Sequence, residues 1–254
     1  MRVLGLVGYP LEHSFSPDYF REKFRKEGIR DGIYALFPLR DIDALRHELI
    51  NKQPGLIGFN VTIPHKESII PLLDWVAPEA KELGAVNTVK VLKQSGKILL
   101  HGYNTDVAGF KCLLSKIQIA SDKRALVFGT GGSAKAVMHI LQKQGIESSQ
   151  VSRSQHQNML TYEALTTDIV NRSDLLINCT PVGMYPNNHK KLPIPYAGLD
   201  GNHGLIDLIY NPPKTKFLKE GEDRGCRIIN GQLMLEEQAE ASWRIWVNET
   251  GGVR

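Results

Sequence analysis

Short apolar runs recur along the chain, each closed by glycine, proline or asparagine and followed by apolar residues at helical spacing. Residues 3–8, stopped by Tyr9-Pro10, read as a buried strand. Ser16-Pro17 is a helix start before residues 18–28. A second strand is expected around 33–38, then a helix over 42–51 with Leu45, Leu49 and Ile50 on one face. The run Leu56-Ile57-Gly58-Phe59 is another short buried strand. Pro64 fits the first turn of a helix after it, where the missing N–H would have had no intrahelical partner. This β-α-β-α-β alternation predicts a largely parallel, twisted sheet with helices on both faces.

The second half continues the alternation. A helix from about Pro78 stops at Gly84, and residues 86–92 form a strand that returns through a hairpin turned near Gln94-Ser95-Gly96. Asn104-Thr105-Asp106 precede an apolar helix. The β-prone run 125–128 meets Gly129-Thr130-Gly131-Gly132-Ser133-Ala134, which opens a helix over 135–144. The next strand ends at Gln150-Val151, and polar residues 155–158 are a loop. Buried strands over 175–180 and 205–210 end in Pro181-Val182-Gly183-Met184 and Asn211-Pro212-Pro213. After a helix near 215–224 and a strand over 227–229, Asn230-Gly231 lead into a last helix with Met234, Leu235, Ala241, Ile245 and Trp246 at helical spacing.

At 254 residues the chain suits two domains or one large α/β domain, and 42% apolar with 23% charged residues is a folded composition rather than a disordered one. The formal charge of +4 is scattered, without the basic stripe of a nucleic-acid binder. No segment has the apolar length of a signal peptide or a membrane span, so a cytoplasmic protein is expected. Cys112, Cys179 and Cys226 lie far apart without a Cys-x-x-Cys pair, which argues against disulfides, zinc or a redox dithiol.

Candidate chemistry gathers at a few turns. In Asn60-Val61-Thr62-Ile63-Pro64-His65-Lys66 an amide, a hydroxyl and an amine lie within a few residues. A lysine in the first turn of a helix is a better acid than a free one, because the helix end disfavours its charge; the alternative is a solvated surface lysine. Ser14 and Ser16, two apart, either donate together to one carboxylate or cap the first helix. Asn87 either bonds neighbouring backbone or meets a substrate hydroxyl. Asp106 is either an N-cap or a catalytic group. Gln238 on the last helix is either a ligand or a buried amide. The glycine segment matches the G-x-G-x-x-A dinucleotide fingerprint between a strand and a helix, with the pyrophosphate resting on the helix N-terminus. In the window where an acid would bind the NAD ribose stand Ser152-Arg153-Ser154, which suit a 2′-phosphate and predict NADP.

With Asn60-Val61-Thr62-x-Pro64-x-Lys66, Gly84-Ala85-Val86-Asn87-Thr88, Asn104-Thr105-Asp106, the glycine loop and Gln238 all in this order, the chain resembles the shikimate dehydrogenases nearly end to end. The resemblance implies an α/β fold: an N-terminal mixed α/β domain over 1–103 plus 231–254 for shikimate, a doubly wound Rossmann domain over 104–230 for NADP, and an active site in the cleft. It implies reversible reduction of 3-dehydroshikimate to shikimate. Lys66 and Asp106 would be the catalytic pair, with Ser14, Ser16, Asn60, Thr62, Asn87, Tyr210 and Gln238 on the substrate. Gly129, Gly131, Gly132, Ser133 and Ala134 would hold the pyrophosphate, and Ser152, Arg153 and Ser154 the 2′-phosphate. Thr180 and Met184 would border the nucleotide, and Leu208 and Gly231 the nicotinamide.

The family's 2′-phosphate loop commonly carries a second basic residue where Gln157 stands here, so a weaker NADP preference is expected. The last helix is also more acidic than usual. Rival readings are a quinate/shikimate dehydrogenase with broader cofactor use, another two-domain nicotinamide enzyme such as one acting on methylene-tetrahydrofolate, and a non-catalytic ligand sensor on the same fold. The expected partners are the small-molecule substrate, with no nucleic acid and no membrane, in a monomer or homodimer.

Overall fold

The structure is a computed structural model that describes residues 1–12, 14–117 and 123–248. The chain divides into two compact units, Met1–Thr105 with Ala239–Arg254, and Asp106–Gln238.

The first unit is built on β1 (Arg2–Gly8), β2 (Gly32–Pro38), β3 (Gly58–Val61), β4 (Trp75–Val76), β5 (Thr88–Gln94) and β6 (Lys97–Tyr103), with helices α1 (Ser16–Lys26) and α2 (Pro78–Leu83). The strands form one sheet in the order β2-β1-β3-β5-β6-β4. The expected parallel pairing holds for β1 with β2 and β3. Past β3 it gives way, because β5 and β6 are a hairpin and a hairpin can only be antiparallel; β5 also runs antiparallel to β3. Ser95 and Gly96 turn that hairpin with φ of 49° and 78°, the backbone that two-residue turns require.

Two further expectations are corrected here. Residues 42–51 bury Leu45, Leu49 and Ile50 as predicted, and Ile42 with them, but as a 3₁₀ turn (Ile42–Ala44) running into a wide π turn (Arg46–Ile50) rather than a regular α-helix. No helix starts at Pro64. The Lys66 carbonyl accepts from Val86 N–H at 2.7 Å instead of a helical neighbour, and Pro71 would break any helix within two turns. The segment is a series of turns ending in a 3₁₀ turn (Ile70–Leu72), pinned where buried His65 Nε2 meets the Leu39 carbonyl at 2.6 Å.

One sheet face packs Val3, Val7, Phe59, Val61 and Val89 against the 42–50 turns. The other receives α1 and the end of α7 (Gln232–Val247), with Phe20, Phe24 and Trp246 in contact. Gly58 leaves the bed for the Trp246 indole, since a Cβ there would sit 2.1 Å from its ring.

The second unit has β7 (Arg124–Phe128), β8 (Glu147–Ser152), β9 (Leu160–Thr161), β10 (Leu175–Asn178), β11 (Gly204–Asp207) and β12 (Arg227–Ile229), with α3 (Asp106–Ile117), α4 (Gly132–Lys143), α5 (Thr167–Asn171), α6 (Lys216–Glu222) and the first part of α7. Every pair is parallel in the order β12-β11-β10-β7-β8-β9. This doubly wound sheet reverses direction between β7 and β10, the point outside whose carboxyl ends such sheets bind ligands.

β10 and β11 stop short of the expected 180 and 210 for a shared reason. Asn178 Oδ1 accepts from the Thr180 amide at 2.9 Å, and Asp207 Oδ1 accepts from the Ile209 amide at 3.0 Å, so each side chain bends its own backbone out of the sheet. The two are cross-strand partners, and Asn178 Nδ2 donates to Asp207 Oδ1 at 3.0 Å. Thr215 Oγ1 donates to Asp207 Oδ2 at 2.5 Å.

Burial pushes the Asp207 carboxyl up to about 7 despite these three donors. A carboxyl whose folded pKa lies above its unfolded one keeps a proton in the native state that the unfolded chain has already released. Stability therefore falls as pH rises from about 4 to 7, by about 4 kcal/mol for this group, and is level above that. Denaturant unfolding of Asp207→Asn should lack that slope, so that the difference between wild type and variant changes across this window and is constant above it. A difference independent of pH would show that Asp207 is ionised throughout.

Candidate functional site

In the first unit the polar residues singled out in sequence converge under the carboxyl end of β3. Asn60 is half-buried there, and its Nδ2 donates to Ser242 Oγ at 2.9 Å, Thr88 Oγ1 at 3.1 Å and the Asn87 carbonyl at 3.2 Å. Its Oδ1 accepts from Tyr34 Oη at 2.8 Å. Asn87 Oδ1 accepts from the Thr105 amide, Thr88 Oγ1 and Thr105 Oγ1 at 2.8, 2.9 and 3.1 Å. Thr88, Thr105 and Ser242, all buried, lie within 3.2 Å of one another. Proton counting orients the set. The two threonine hydroxyls donate to Asn87, and Ser242 Oγ accepts from Asn60. Both amides are thereby locked in one flip state.

Ser14 and Ser16 resolve differently. Ser14 Oγ accepts from the Ser16 amide at 3.4 Å, a local contact at the start of α1. The Ser16 side chain instead bonds the Tyr34 phenol, whose pKa burial raises and this bond lowers. Ser16, Tyr34 and Asn60 thus form one chain. Thr62 follows β3, its amide on the Val7 carbonyl at 2.9 Å, and Lys66 is half-buried on the turn after it. No helix begins there, so the first-turn placement expected for Lys66 from Pro64 does not arise. Asn104 Nδ2 donates to the Ala85 carbonyl at 2.9 Å, tying two of the sequence motifs together.

In the second unit Asp106 is buried as the first residue of α3. Burial raises the Cys179 pKa, and the charges of Asp207 and Asp106 add to it, which places Asp106 near the end of β10. The glycine loop follows β7, with Gly129 at φ 112° and its carbonyl held by Gln150 Nε2 at 2.7 Å. A Cβ on Gly129 would lie 3.2 Å from Thr180 Cγ2, so the glycine loop and the loop after β10 are neighbours. Thr180 Oγ1 donates to Asn178 Oδ1 at 2.7 Å. Gly131 opens α4 onto space with nothing within 4 Å of a Cβ, whereas Ala134 is buried and must be small. Gly132 and Ser133 complete the first turn. This is a cradle of amides at a helix N-terminus with room for an anion.

At the end of β8, Ser152 Oγ accepts from the Ser154 amide at 3.2 Å, shaping a turn that leaves Arg153 and Ser154 exposed. Burial pushes the Tyr162 phenol up to about 12, with the positive charge of Arg153 opposing it. Residues 152–155 contain no carboxylate, so the donor set suits a 2′-phosphate, and Gln157 beyond it is neutral. Leu208 and Gly231 are brought together: Gly231 N–H donates to the Ile209 carbonyl at 3.1 Å, and a Cβ there would meet the Leu208 carbonyl oxygen at 2.1 Å. Met184 is exposed on its loop, and Tyr210 is half-buried after β11. Gln238 lies half-buried on α7, one turn from both Met234 and Ser242.

Sequence reasoning passed over Tyr34, Thr88, Thr105 and Ser242 in the first unit, and Asn178, Asp207 and Thr215 in the second. A polar residue inside an apolar run, as in Leu205-Ile206-Asp207-Leu208-Ile209, was the available signal for Asp207. Nothing local marks Ser242. Among the described residues no cluster of side chains could hold a metal ion, and no helix is long and apolar enough to cross a membrane.

Residues 6–89 match the family model of the shikimate dehydrogenase substrate binding domain. A shikimate dehydrogenase (NADP(+)) of Methanococcus maripaludis is 38% identical over 264 residues, covering 98% of this chain and 92% of that protein. The crystal structure of shikimate 5-dehydrogenase from Thermus thermophilus in complex with NADP(H) and shikimate matches with a TM-score of 0.83 at 30% identity, over 97% of this chain and 94% of that one. A quinate dehydrogenase from Corynebacterium glutamicum in complex with NAD matches with a TM-score of 0.83 at 26% identity, over 97% of this chain and 93% of that one. With that identity across nearly its whole length, the chain belongs to the shikimate dehydrogenase family.

Proposed function

We propose that this protein is an NADP-dependent oxidoreductase that reversibly reduces 3-dehydroshikimate to shikimate. The observation that carries the reading is the exposed Arg153 between two serines at the end of β8, with no carboxylate beside it, in a chain 38% identical to a shikimate dehydrogenase (NADP(+)). The first unit supplies most substrate residues, and the second supplies the nucleotide residues.

When bound, NADPH supplies the hydride. The chain supplies position, charge and the proton. Lys66, as an ammonium, hydrogen-bonds the C3 oxygen of the substrate, stabilises the negative charge that develops there and delivers the proton. Asp106 is the second residue of the catalytic pair. Three donors occupy Asn87 Oδ1, which dedicates its Nδ2 to other partners, ring hydroxyls among them. Asn60 is nearly saturated by its neighbours and offers only the remaining lone pair of Oδ1. Thr62 and Gln238 add ring contacts, and Ser14, Ser16 and Tyr210 meet the carboxylate. The amides of Gly129, Gly131, Gly132, Ser133 and Ala134 receive the pyrophosphate, and Ser152, Arg153 and Ser154 the 2′-phosphate. Thr180 and Met184 flank the nucleotide, and Leu208 and Gly231 its nicotinamide end.

Nicotinamide absorbance with purified protein tests the reading directly. Shikimate should be oxidised with NADP, and Lys66→Ala should lower kcat roughly a hundredfold or more, the loss typical of a missing general acid. A change confined to KM would make Lys66 a binding residue and overturn this mechanism. Turnover of quinate with NAD would move the protein to the broader dehydrogenase class, and silence with every pair in a folded, NADP-binding protein would favour the sensor.

Replacing Arg153 with alanine should raise the KM for NADP by about tenfold or more while leaving that for NAD nearly unchanged, since a single charge-assisted contact is lost. Equal turnover of wild type with NAD and NADP at saturating substrate would contradict the assignment of the loop.

Ser242→Ala tests the floor. It strips one acceptor from Asn60 and should cost about 1–3 kcal/mol in denaturant unfolding. We expect the KM for shikimate to rise with kcat largely kept; the same stability loss with KM unmoved would make the hydroxyl set purely structural.

A further inference from the structure

We infer that Gln150 is a positioning residue of the nucleotide site: its side-chain amide fixes the first peptide of the glycine loop, aims the N–H groups of that loop at the pyrophosphate, and lets the 2′-phosphate turn part from it. The inference rests on the reading of this loop as a dinucleotide site. All the residues concerned lie in the second unit.

β7 and β8 pair in parallel from Arg124 with Glu147 to Phe128 with Val151, and one further bond runs from the Gly129 amide to the Val151 carbonyl at 3.0 Å. The next bond of such a ladder would take the Arg153 amide to the Gly129 carbonyl. Gly129, at φ 112°, turns that carbonyl out of the ladder instead, and Gln150 Nε2 donates to it at 2.7 Å. A side chain of β8 thus stands in for the backbone of β8. The chain after Ser152 is then at liberty to form its turn, in which the Ser154 amide donates to Ser152 Oγ at 3.2 Å and Arg153 is exposed.

A side chain is needed here because glycine is permissive. With no Cβ, residue 129 tolerates peptide orientations closed to other residues, so its own backbone does not select one. The peptide between Gly129 and Thr130 is planar and trans, and a carbonyl directed at β8 therefore directs the Thr130 N–H away from it. The amides of Thr130, Gly131 and Gly132 have no acceptor among the described residues, which is the donor set that an anion needs at the start of α4. The reversed peptide would set the Gly129 carbonyl among those donors, an oxygen facing an anion. Gln150 is half-buried, and among the described residues its side chain bonds nothing else, so this carbonyl alone orients it. Only the Nε2 end can donate to a carbonyl, which fixes the flip of the amide. Ser152, two residues on, projects from the same face of β8, so the side chain that holds the pyrophosphate loop stands beside the residue that begins the 2′-phosphate turn.

Isothermal titration calorimetry of NADP and of NAD with the full-length protein tests the role. Gln150→Leu, which keeps the bulk and removes the donor, should weaken both dinucleotides alike, by about fivefold, the worth of one neutral hydrogen bond. Gln150→Glu, polar and of the same length, should weaken both by more, because its charge also faces the pyrophosphate; it serves in place of the leucine variant if that one does not fold. In either variant kcat at saturating NADP and the KM for shikimate should stay at their wild-type values. Both Kd values unmoved, with or without a loss of stability, would overturn the inference, as would a loss confined to NADP, the signature expected of Arg153→Ala; neither result would touch the functional reading. A wild type that binds neither dinucleotide would overturn that reading and the inference together.

Discussion

A polar side chain shut away from water must find its hydrogen bonds inside the protein, and that requirement shapes both sheets of this molecule where their strands end. In the first unit Thr88, Thr105 and Ser242 are buried together, and they bond one another and the amides of Asn60 and Asn87. In the second, Asn178 and Asp207 are fully buried on adjacent strands and are answered by each other, by Thr215 and by the backbone of the loops they begin. The same bonds that satisfy these groups decide where the strands stop. They also decide which way the loops leave.

This arrangement supplies rigidity at the strand ends. An amide whose oxygen already accepts three bonds, as Asn87 does, cannot flip to suit a wrong ligand without breaking them. Asn60 is held as firmly, between Tyr34 on one side and Ser242 on the other. Such pre-organisation is what orients a reacting centre without loss of binding energy at the moment of reaction. In the second unit the glycine loop and the Thr180 loop are set side by side through main-chain contacts at Gly129, a position whose φ of 112° few other residues tolerate. Arg153 and Ser154, by contrast, stand out in solvent at the end of β8, where they can meet a charged group without first being desolvated.

The last helix has a structural part as large as its chemical one. After leaving the second unit it lays Trp246 on Gly58 and buries Ser242 beneath Asn60, while Glu240 accepts from Tyr19 at 2.6 Å and Lys23 at 2.8 Å on α1. The final described turns of the chain thus complete a sheet begun by its first residues. Truncation of this helix would leave Asn60 and Thr88 short of a partner as well as exposing the Phe20 cluster.

The elements that depend on near neighbours were legible in the amino-acid order. The strand, glycine loop and helix over 124–143, the Gly84 helix stop at φ 62°, the Ser95-Gly96 turn and the absence of an acid after β8 are each decided within a few residues, by steric freedom or by side-chain charge. Decisions made by distant partners were not legible. The turn at Lys66 looks like a helix start because Pro64 suits one, but its carbonyl belongs to Val86, in the segment between α2 and β5. Ser242 looked like one more polar residue on an amphipathic helix, and it meets Asn60 from 182 positions away. Local geometry follows from backbone sterics that each residue carries with it, whereas a buried hydrogen bond exists only after the strands have chosen their neighbours. The sequence by itself therefore determined the class of fold, the family and the strand, glycine loop and helix over 124–143, and only the tertiary structure decided which amides are locked and where the strands end.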